Sequence, residues 1–283
     1  MMSERAPLKI IHLSDTHVGF KDNVVRFERI ADDIVKNHDP VLHLIIHTGD
    51  LIDTESDTKN RDEAMRVLQK LGKHGFRIFM CPGNHDYGNG TGMYMDRALN
   101  FRTEFEKYLF PGLKKEFPTK TEFNSYVFIG LDSCFAELKF WESWFAEGYI
   151  GDEQLRALDE MLVEEKEKTI VLYLHHHPFS YSYTVRPGFY DRQWGFHEIT
   201  ALTRSFRRLK DAYSLIQIIR DRVQVLLFGH MHCGLDCSAQ SREYGIPLGF
   251  DASSSTCTNM DTDRIRYRII DLQNMSVETR FVS

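Results

Sequence analysis

The chain has 283 residues, 42% of them hydrophobic and 27% charged, and its 35 lysines and arginines against 41 aspartates and glutamates leave a formal charge of −6 at neutral pH. These proportions belong to an ordinary globular protein and exclude a disordered, collagenous or coiled-coil chain. The mild acidity argues against a dedicated binder of nucleic acid or of a membrane surface, both of which need clustered positive charge. No apolar run reaches the roughly 18 residues that span a bilayer, and the first strand-like run begins at Leu8, too early for a cleaved leader, so a cytoplasmic location is expected. Five cysteines (Cys81, Cys134, Cys233, Cys237 and Cys257) are an odd number in a chain long enough to bury a core unaided, and free thiols are expected.

In chain order, short runs of Ile, Val and Leu alternate with segments of helical period, the βαβ pattern. Leu8 to Leu13 reads as a strand. Val24 to Asn37 reads as a helix with Phe27, Ile30, Ile34 and Val35 on one face. Val41 to His47 is a second strand, and Ala64, Val67, Leu68 and Leu71 stripe the next helix. Arg77 to Cys81 is a third strand closed by Pro82 and Gly83, and Phe123 to Leu131 a further one. A helix is expected from Asp152, taken as its N-cap, through Leu155, Leu158, Met161 and Leu162. It leads into the apolar strand Thr169 to Leu174. Residues 179–200 break the alternation, rich in Tyr, Arg and Gly. Helical period returns through Leu202, Phe206, Leu209, Tyr213 and Ile216, followed by the strand Val223 to Phe228. Ile246 to Asp251, Arg264 to Asp271 and Ser276 to Val282 alternate like antiparallel strands. With no repeat, linker or low-complexity tract, the expectation is one domain over 1–283, carrying an inserted segment at about 179–200.

The informative feature is the set of polar residues at the end of each buried strand. The first strand leads into Asp15 and His17, the second into Gly49 and Asp50, the third into Gly83, Asn84, His85 and Asp86. The fourth ends in His175, His176, His177 and Pro178, the fifth in Gly229, His230, Met231 and His232. In open α/β sheets ligands bind outside the strand carboxyl ends, so five turns deliver Asp, His and Asn to one place. Carboxylate, imidazole and amide oxygen without thiolate suit Mn, Fe, Zn or Co. Asp15, His17, Asp50, Asn84, His176, His230 and His232 are too many ligands for one ion. They divide between two ions about 3.5–4 Å apart if a carboxylate, for which Asp50 is the candidate, bridges them.

Taken singly, each motif reads as an ordinary turn. Together, in this order, they resemble the calcineurin-like metallophosphoesterases, whose pattern is D-x-H, G-D-x-x-D, G-N-H-D/E, a histidine ahead of proline, and G-H-x-H. The resemblance runs from Lys9 to about Phe281, and in size and spacing is most like the branch of class III cyclic nucleotide phosphodiesterases and glycerophosphodiesterases. It implies a four-layer α/β/β/α sandwich of the metallo-dependent phosphatase type. It implies Asp15, His17, Asp50 and His232 around one metal, and Asp50, Asn84, His176 and His230 around the other. The family spacing to the proline selects His176, whereas strand alternation does not separate it from His175 or His177. The activity implied is hydrolysis of a small-molecule phosphodiester by in-line attack of a metal-bridging hydroxide. His85 is then the acid at the leaving group, and Asp53 orients His85 and keeps it protonated.

A phosphomonoesterase or nucleotidase shares this metal core, and lipid-precursor hydrolases have a related one. A nuclease would want a basic stripe beside the motifs, and none is seen. A non-catalytic scaffold of the same fold would be expected to have lost ligands or the acid, all of which are present here. On the substrate side the candidates are Asn84, His177, Tyr181, Arg186, Tyr190, Trp194 and His197, since aromatic rings with arginine can stack on a base and hold an anion. Phe140, Trp141, Trp144, Phe145 and Tyr149 suggest internal packing or a homo-oligomer contact. His12, His43 and His47 on strands are expected to be hydrogen-bonded structural residues, Asp86 to stabilise its loop or act on substrate, and Cys233 and Cys237 to be inert.

Overall fold

The structure is a computed structural model that describes residues 8–54, 57–88, 116–123, 125–134, 147–179, 209–232, 234, 236–258 and 263–283. The candidate segment from Tyr181 to His197, the aromatic residues Phe140 to Phe145, and Cys233 lie outside the described residues.

Among the described residues, ten strands form two five-stranded sheets. The first has the order β10-β9-β1-β2-β3, built from β1 (Lys9–Leu13), β2 (His43–His47), β3 (Arg77–Met80), β9 (Arg266–Asp271) and β10 (Ser276–Phe281). The second has the order β4-β5-β6-β7-β8, from β4 (Thr119–Phe123), β5 (Tyr126–Gly130), β6 (Thr169–Tyr173), β7 (Val225–Phe228) and β8 (Leu248–Asp251). The helices are α1 (Asn23–Asn37), α2 (Thr58–Lys73), α3 (Asp152–Glu164), α4 (Ala212–Ile219) and the short α5 (Ser238–Arg242).

Strand alternation separates the core into three apolar layers. On β1, Ile10 faces the other sheet while Ile11 and Leu13 face α1 and α2; on β6, Val171 and Tyr173 face inward while Ile170 and Leu172 lie under α3 and α4. Because both faces of the central strands are covered, β2 and β6 read as continuous apolar runs rather than alternating ones. Helices outside and two sheets face to face give the expected α/β/β/α sandwich. Parallel β1, β2 and β3 are joined through α1 and α2, so their carboxyl ends all emerge on one edge. On its other side β1 pairs antiparallel with β9, which makes it the strand where the sheet changes direction.

Four local expectations are corrected. The run from Phe123 is a hairpin rather than one strand, β4 pairing antiparallel with β5. β8 pairs parallel with β7, because α5 carries the chain back between them; of the three C-terminal strands only β9 and β10 pair antiparallel. Asp152 is the first residue of α3 rather than its cap. Gly151 at φ 86° makes the entry turn, its N–H donating to Asp211 Oδ2 at 2.9 Å. Tyr213 is 78% exposed, and α4 instead buries Ala212, Leu215, Ile216 and Ile219.

The edge of the first sheet is fastened to α1 by Asp33. It accepts from Arg280 Nε and Nη2 at 2.5 and 3.0 Å and from the Tyr267 hydroxyl at 2.7 Å. The Arg280 hydrogen bonds hold the Asp33 carboxyl below its ordinary value of 3.8 against a smaller opposing effect of burial. A depressed carboxyl stabilises the fold above its unfolded pKa and loses that contribution as the pH falls through the folded one. Asp33→Asn is expected to cost about 1 kcal/mol at pH 7. In urea titrations at a series of pH values the gap to wild type should close below about pH 4.

Candidate metal centre

The carboxyl ends of β1, β2, β3, β6 and β7 place their polar side chains around one buried point. Asp15 Oδ1 lies 3.1 Å from His232 Nε2, and His17 Nε2 lies 3.2 Å from the same atom. Asp50 Oδ2 stands between two histidines, 3.7 Å from His17 Nε2 and 3.4 Å from His175 Nε2. His175 Nε2 in turn lies 3.1 Å from both Asn84 Oδ1 and His230 Nδ1. Two groups that could hold a cation result, Asp15 with His17 and His232, and Asp50 with His175 and His230; a third, His17 with Asp53 and His85, adjoins the first. Asp50 touches both sides, the place a bridging ligand would occupy.

The ring orientations bear on what belongs there. His232 Nδ1 faces the Thr258 carbonyl at 2.9 Å, His175 Nδ1 the Thr48 carbonyl at 2.7 Å, and His17 Nδ1 the Asp53 carboxylate at 3.2 Å. The two carbonyls only accept, so Nδ1 of His232 and Nδ1 of His175 carry a proton and Nε2 of each is turned inward. Nε2 of His17 and Nε2 of His232 lie 3.2 Å apart, close enough for one cation to take both, and outward carbonyl partners are the usual support of metal-binding histidines. The donor set therefore fits divalent ions. The electrostatics agree. Burial alone would raise Asp15 and Asp50, yet the surrounding histidines hold both carboxyls below their ordinary values, and burial notwithstanding, Asp50 raises His175 to about 9. The buried carboxylates demand positive charge, and metal ions would supply it in place of protons.

The backbone is bent to make this geometry. Asp15, His17, Asp50, His230 and His232 all have positive φ, from 43° to 74°, a region that costs non-glycine residues about 1 kcal/mol or more and that clusters at functional sites. The motif glycines allow the turns to close on one another. A Cβ on Gly83 would fall 2.3 Å from the Asp50 amide nitrogen, and one on Gly229 2.5 Å from Asp15 Oδ2. Asp86 ties the β2 and β3 turns together, accepting from Leu51, Ile52 and Gly83 N–H groups at 2.9, 3.2 and 2.8 Å. It fastens the two turns to each other, the loop-stabilising role expected of it.

Of the residues expected at the centre, Asp15, His17, Asp50, Asn84, His230 and His232 are brought together, with His176 packed against His230 and His175 in the group with Asp50. Parallel pairing continues past β6, with Leu174 N–H on the Leu227 carbonyl and Gly229 N–H on that of His175. His175 therefore follows Tyr173 inward to Asn84 and His230. His176 has Nδ1 2.8 Å from Ser133 Oγ and its ring between Gly148 and the ring of His230, whose centroid is 4.4 Å away. His177, expected near substrate, is buried against Phe179 and Phe228 with Nε2 3.7 Å from Cys237 Sγ, and burial pushes it down to about 3. His85 stands at the rim, its side chain 23% exposed, its N–H on Asp50 Oδ1 at 2.8 Å. Its Nδ1 is held by the Asp53 main-chain carbonyl at 2.7 Å, whereas the Asp53 carboxylate is 3.9 Å away and nearer His17. Burial lowers His85, and Asp50 first, then the Asp53 carbonyl and carboxylate, act against it.

The sequence reading missed two supports. Asn23, at the start of α1, donates through Nδ2 to the carbonyls of Thr16 and His17 and to Thr258 Oγ1. The hydroxyl run 253–258 after β8 underlies the first motif, Ser254 Oγ donating to the Asp15 carbonyl at 2.6 Å and Thr256 Oγ1 to that of Thr16 at 2.8 Å. Five buried hydroxyl residues in six were the available signal, since such residues are buried only when their hydrogen bonds are used. His12 on Thr48 Oγ1 and His47 on Thr16 Oγ1 are structural, as expected. The described cysteines, Cys81, Cys134, Cys237 and Cys257, form no disulfide with one another.

Two stacked sheets that converge carboxylates and imidazoles on one edge define a sandwich protein built to hold cations. The chain belongs to the calcineurin-like phosphoesterase family, whose model matches residues 8–234, and the class is one of metal-dependent phosphoester hydrolases. Its fold is similar to that of Plasmodium GAP50, the anchor in the inner membrane complex, at 14% identity and TM-score 0.54 over 98% of this chain and 85% of that one. The phosphopantetheinyl hydrolase of Mycobacterium tuberculosis aligns over 88% of this chain and 90% of its own with TM-score 0.49 and 13% identity. A stretch of 89 residues is 34% identical to the DNA double-strand break repair protein Mre11 of Saccharolobus solfataricus, covering 28% of this chain and 23% of that relative. No helix among the described residues is long and apolar enough to cross a membrane.

Replacing adjacent histidines separates the alternatives. His175→Ala is expected to lower bound metal by about one equivalent per chain, measured by elemental analysis after Mn²⁺ loading, and His176→Ala to leave it unchanged. The reverse pattern would restore His176 as the ligand.

Proposed function

We propose that the protein hydrolyses a small-molecule phosphodiester with two divalent ions, one held by Asp15, His17, Asp50 and His232 and the other by Asp50, Asn84, His175 and His230. Such ions polarise a phosphate ester and lower the pKa of water towards about 7, so that a nucleophile is available near neutral pH. The observation that carries the metal-dependent phosphoesterase reading is the convergence of Asp15, Asp50 and Asp53 with His17, His175, His230 and His232 in adjoining groups able to hold cations. The diester is preferred on the resemblance of the motif set in size and spacing to phosphodiesterases, since a monoesterase would use the same core.

His85 is the residue of this chain placed to serve the leaving group. It stands on the rim of an otherwise buried cluster, and Asp50 and the Asp53 carbonyl hold it at both its amide and its Nδ1. Since that carbonyl accepts in either charge state, the transferable proton is the one on Nε2, and the negative charge of an incoming ester favours its presence. Asp53 acts as a positioning residue for His17, and Asn84 through its amide oxygen beside His175. Residues 1–283 are read as one domain, with the segment near 179–200, which leaves directly from the β6 turn, on the substrate side.

Metal-stripped protein reconstituted with Mn²⁺ should hydrolyse bis(p-nitrophenyl) phosphate in preference to p-nitrophenyl phosphate. Preference for the monoester would overturn the diester reading in favour of a nucleotidase or sugar phosphatase on the same core. His85→Ala should retain its metals and lose about 10²–10⁴-fold in turnover of a diester with a poor leaving group; full turnover with both metals bound would remove it as the acid.

A further inference from the structure

Apart from the carboxylate–imidazole cluster, a cavity of about 140 Å³ opens where β9 and β10 of the first sheet meet the turns after β7 and β8 of the second. Its walls are Gly234, Ala252, Arg266, Arg268, Thr279 and Phe281. Arg266 and Arg268 are two apart on β9 and so leave the same face of the sheet. The register sets Thr279 opposite Arg268 and Phe281 opposite Arg266. The volume is close to the ~150 Å³ known to admit one benzene-sized molecule, but here two guanidinium groups and a hydroxyl line it.

Arg268 is 8% exposed. Its Nε donates to the Asp251 carbonyl at 3.1 Å and its Nη2 to the Gly234 carbonyl at 2.5 Å, while Nη1 reaches Thr279 Oγ1 at 3.5 Å, the edge of hydrogen-bonding range. Every partner is a neutral oxygen, and no carboxylate among the described residues forms an ion pair with it; Asp251 and Asp236 act on it only at longer range. Its neighbour across the register on β1, His12, is held neutral by burial and by this same guanidinium. Buried charges are normally paired, because their desolvation is otherwise uncompensated. Arg266 adds a second charge, with Nη2 3.0 Å from Ser253 Oγ, and Ser253 Oγ donates to the His232 carbonyl at 3.1 Å. The cavity is thus joined to the turn that carries His232 by two hydrogen bonds.

We propose that this cavity is a second anion site, which takes a small oxyanion of phosphate or carboxylate type between Arg266 and Arg268, with Thr279 as a hydroxyl donor. Planar guanidinium forks match the oxygen spacing of such groups. The occupant is either the free ion or an anionic group on the part of the ester remote from the metal centre.

Inorganic phosphate titrated calorimetrically into the metal-loaded protein at constant ionic strength is expected to bind in two equivalents. Arg266→Gln, and Thr279→Asp, which sets a carboxylate beside Arg268 without altering the buried guanidinium, should each weaken one equivalent about tenfold or more, with metal content unchanged. Thr279→Asp should also raise Tm in phosphate-free buffer, a gain that a misfolded variant would not show. A single equivalent in the wild type, or two equivalents undisturbed in both variants, overturns the assignment. The titration needs no turnover, so it is independent of the diester reading. To tell the sources apart, KM is compared in Arg266→Gln for bis(p-nitrophenyl) phosphate and for a diester with an added carboxylate. A larger rise for the carboxylate ester assigns the site to substrate, and equal changes with relief of phosphate inhibition assign it to the free ion.

Discussion

Asp15 and Asp50 are fully desolvated carboxylates at the ends of adjacent parallel strands, and the surrounding structure is organised by their need for positive charge. His17 from the Asp15 turn itself and histidines from the β6 and β7 turns approach them through Nε2, and carbonyls of Thr48 and Thr258 hold His175 and His232 in that orientation while Asp53 stands behind His17. Removing the outward partners would free the rings to rotate, and the lone pairs would no longer converge. The left-handed backbone at five of these residues is the local cost, tolerated because the turns are packed and hydrogen-bonded on every side.

The fold was legible in the sequence wherever burial imposes a period. β1, β2, β6 and β7 read as apolar runs because both faces are covered, and the polar residues that end them announced the site. Three consecutive histidines defeated that logic. Family spacing pointed to His176, but parallel pairing extends beyond the regular end of β6, and it is this extension that turns His175 inward. Strand direction at β8 was likewise hidden. An alternating edge strand looks alike whether parallel or antiparallel, and the helix on the return path, α5, is only five residues long. The role of Asp53 depended on a rotation of about one side chain, between His17 and His85, that no spacing encodes. The hydroxyl run after β8 was visible yet went unread, because Ser and Thr are so ordinary in turns.

Charge is distributed in this protein by layer. The acids and imidazoles lie at one edge of the sandwich. Arg268 and His12 face each other across β9 and β1, on the side turned to the other sheet where Ile10, Phe250 and Ile270 also lie. A mildly acidic protein can thereby present a locally positive interior to an anion while its outer surface repels polyanions.

The hydroxyl segment also governs when the centre can exist. Ser14 N–H donates to Ser255 Oγ, 241 residues away along the chain, and Asp15 and Thr16 are held by Ser254 and Thr256 at similar separations. Contacts of such sequence distance form late, since long loops must close before they contribute. During synthesis the first motif emerges earliest yet stays without its support until β8 and the turn beyond it have docked. A nascent chain would therefore display single aspartates and histidines but not their convergence, so that metal capture is deferred until both sheets are assembled.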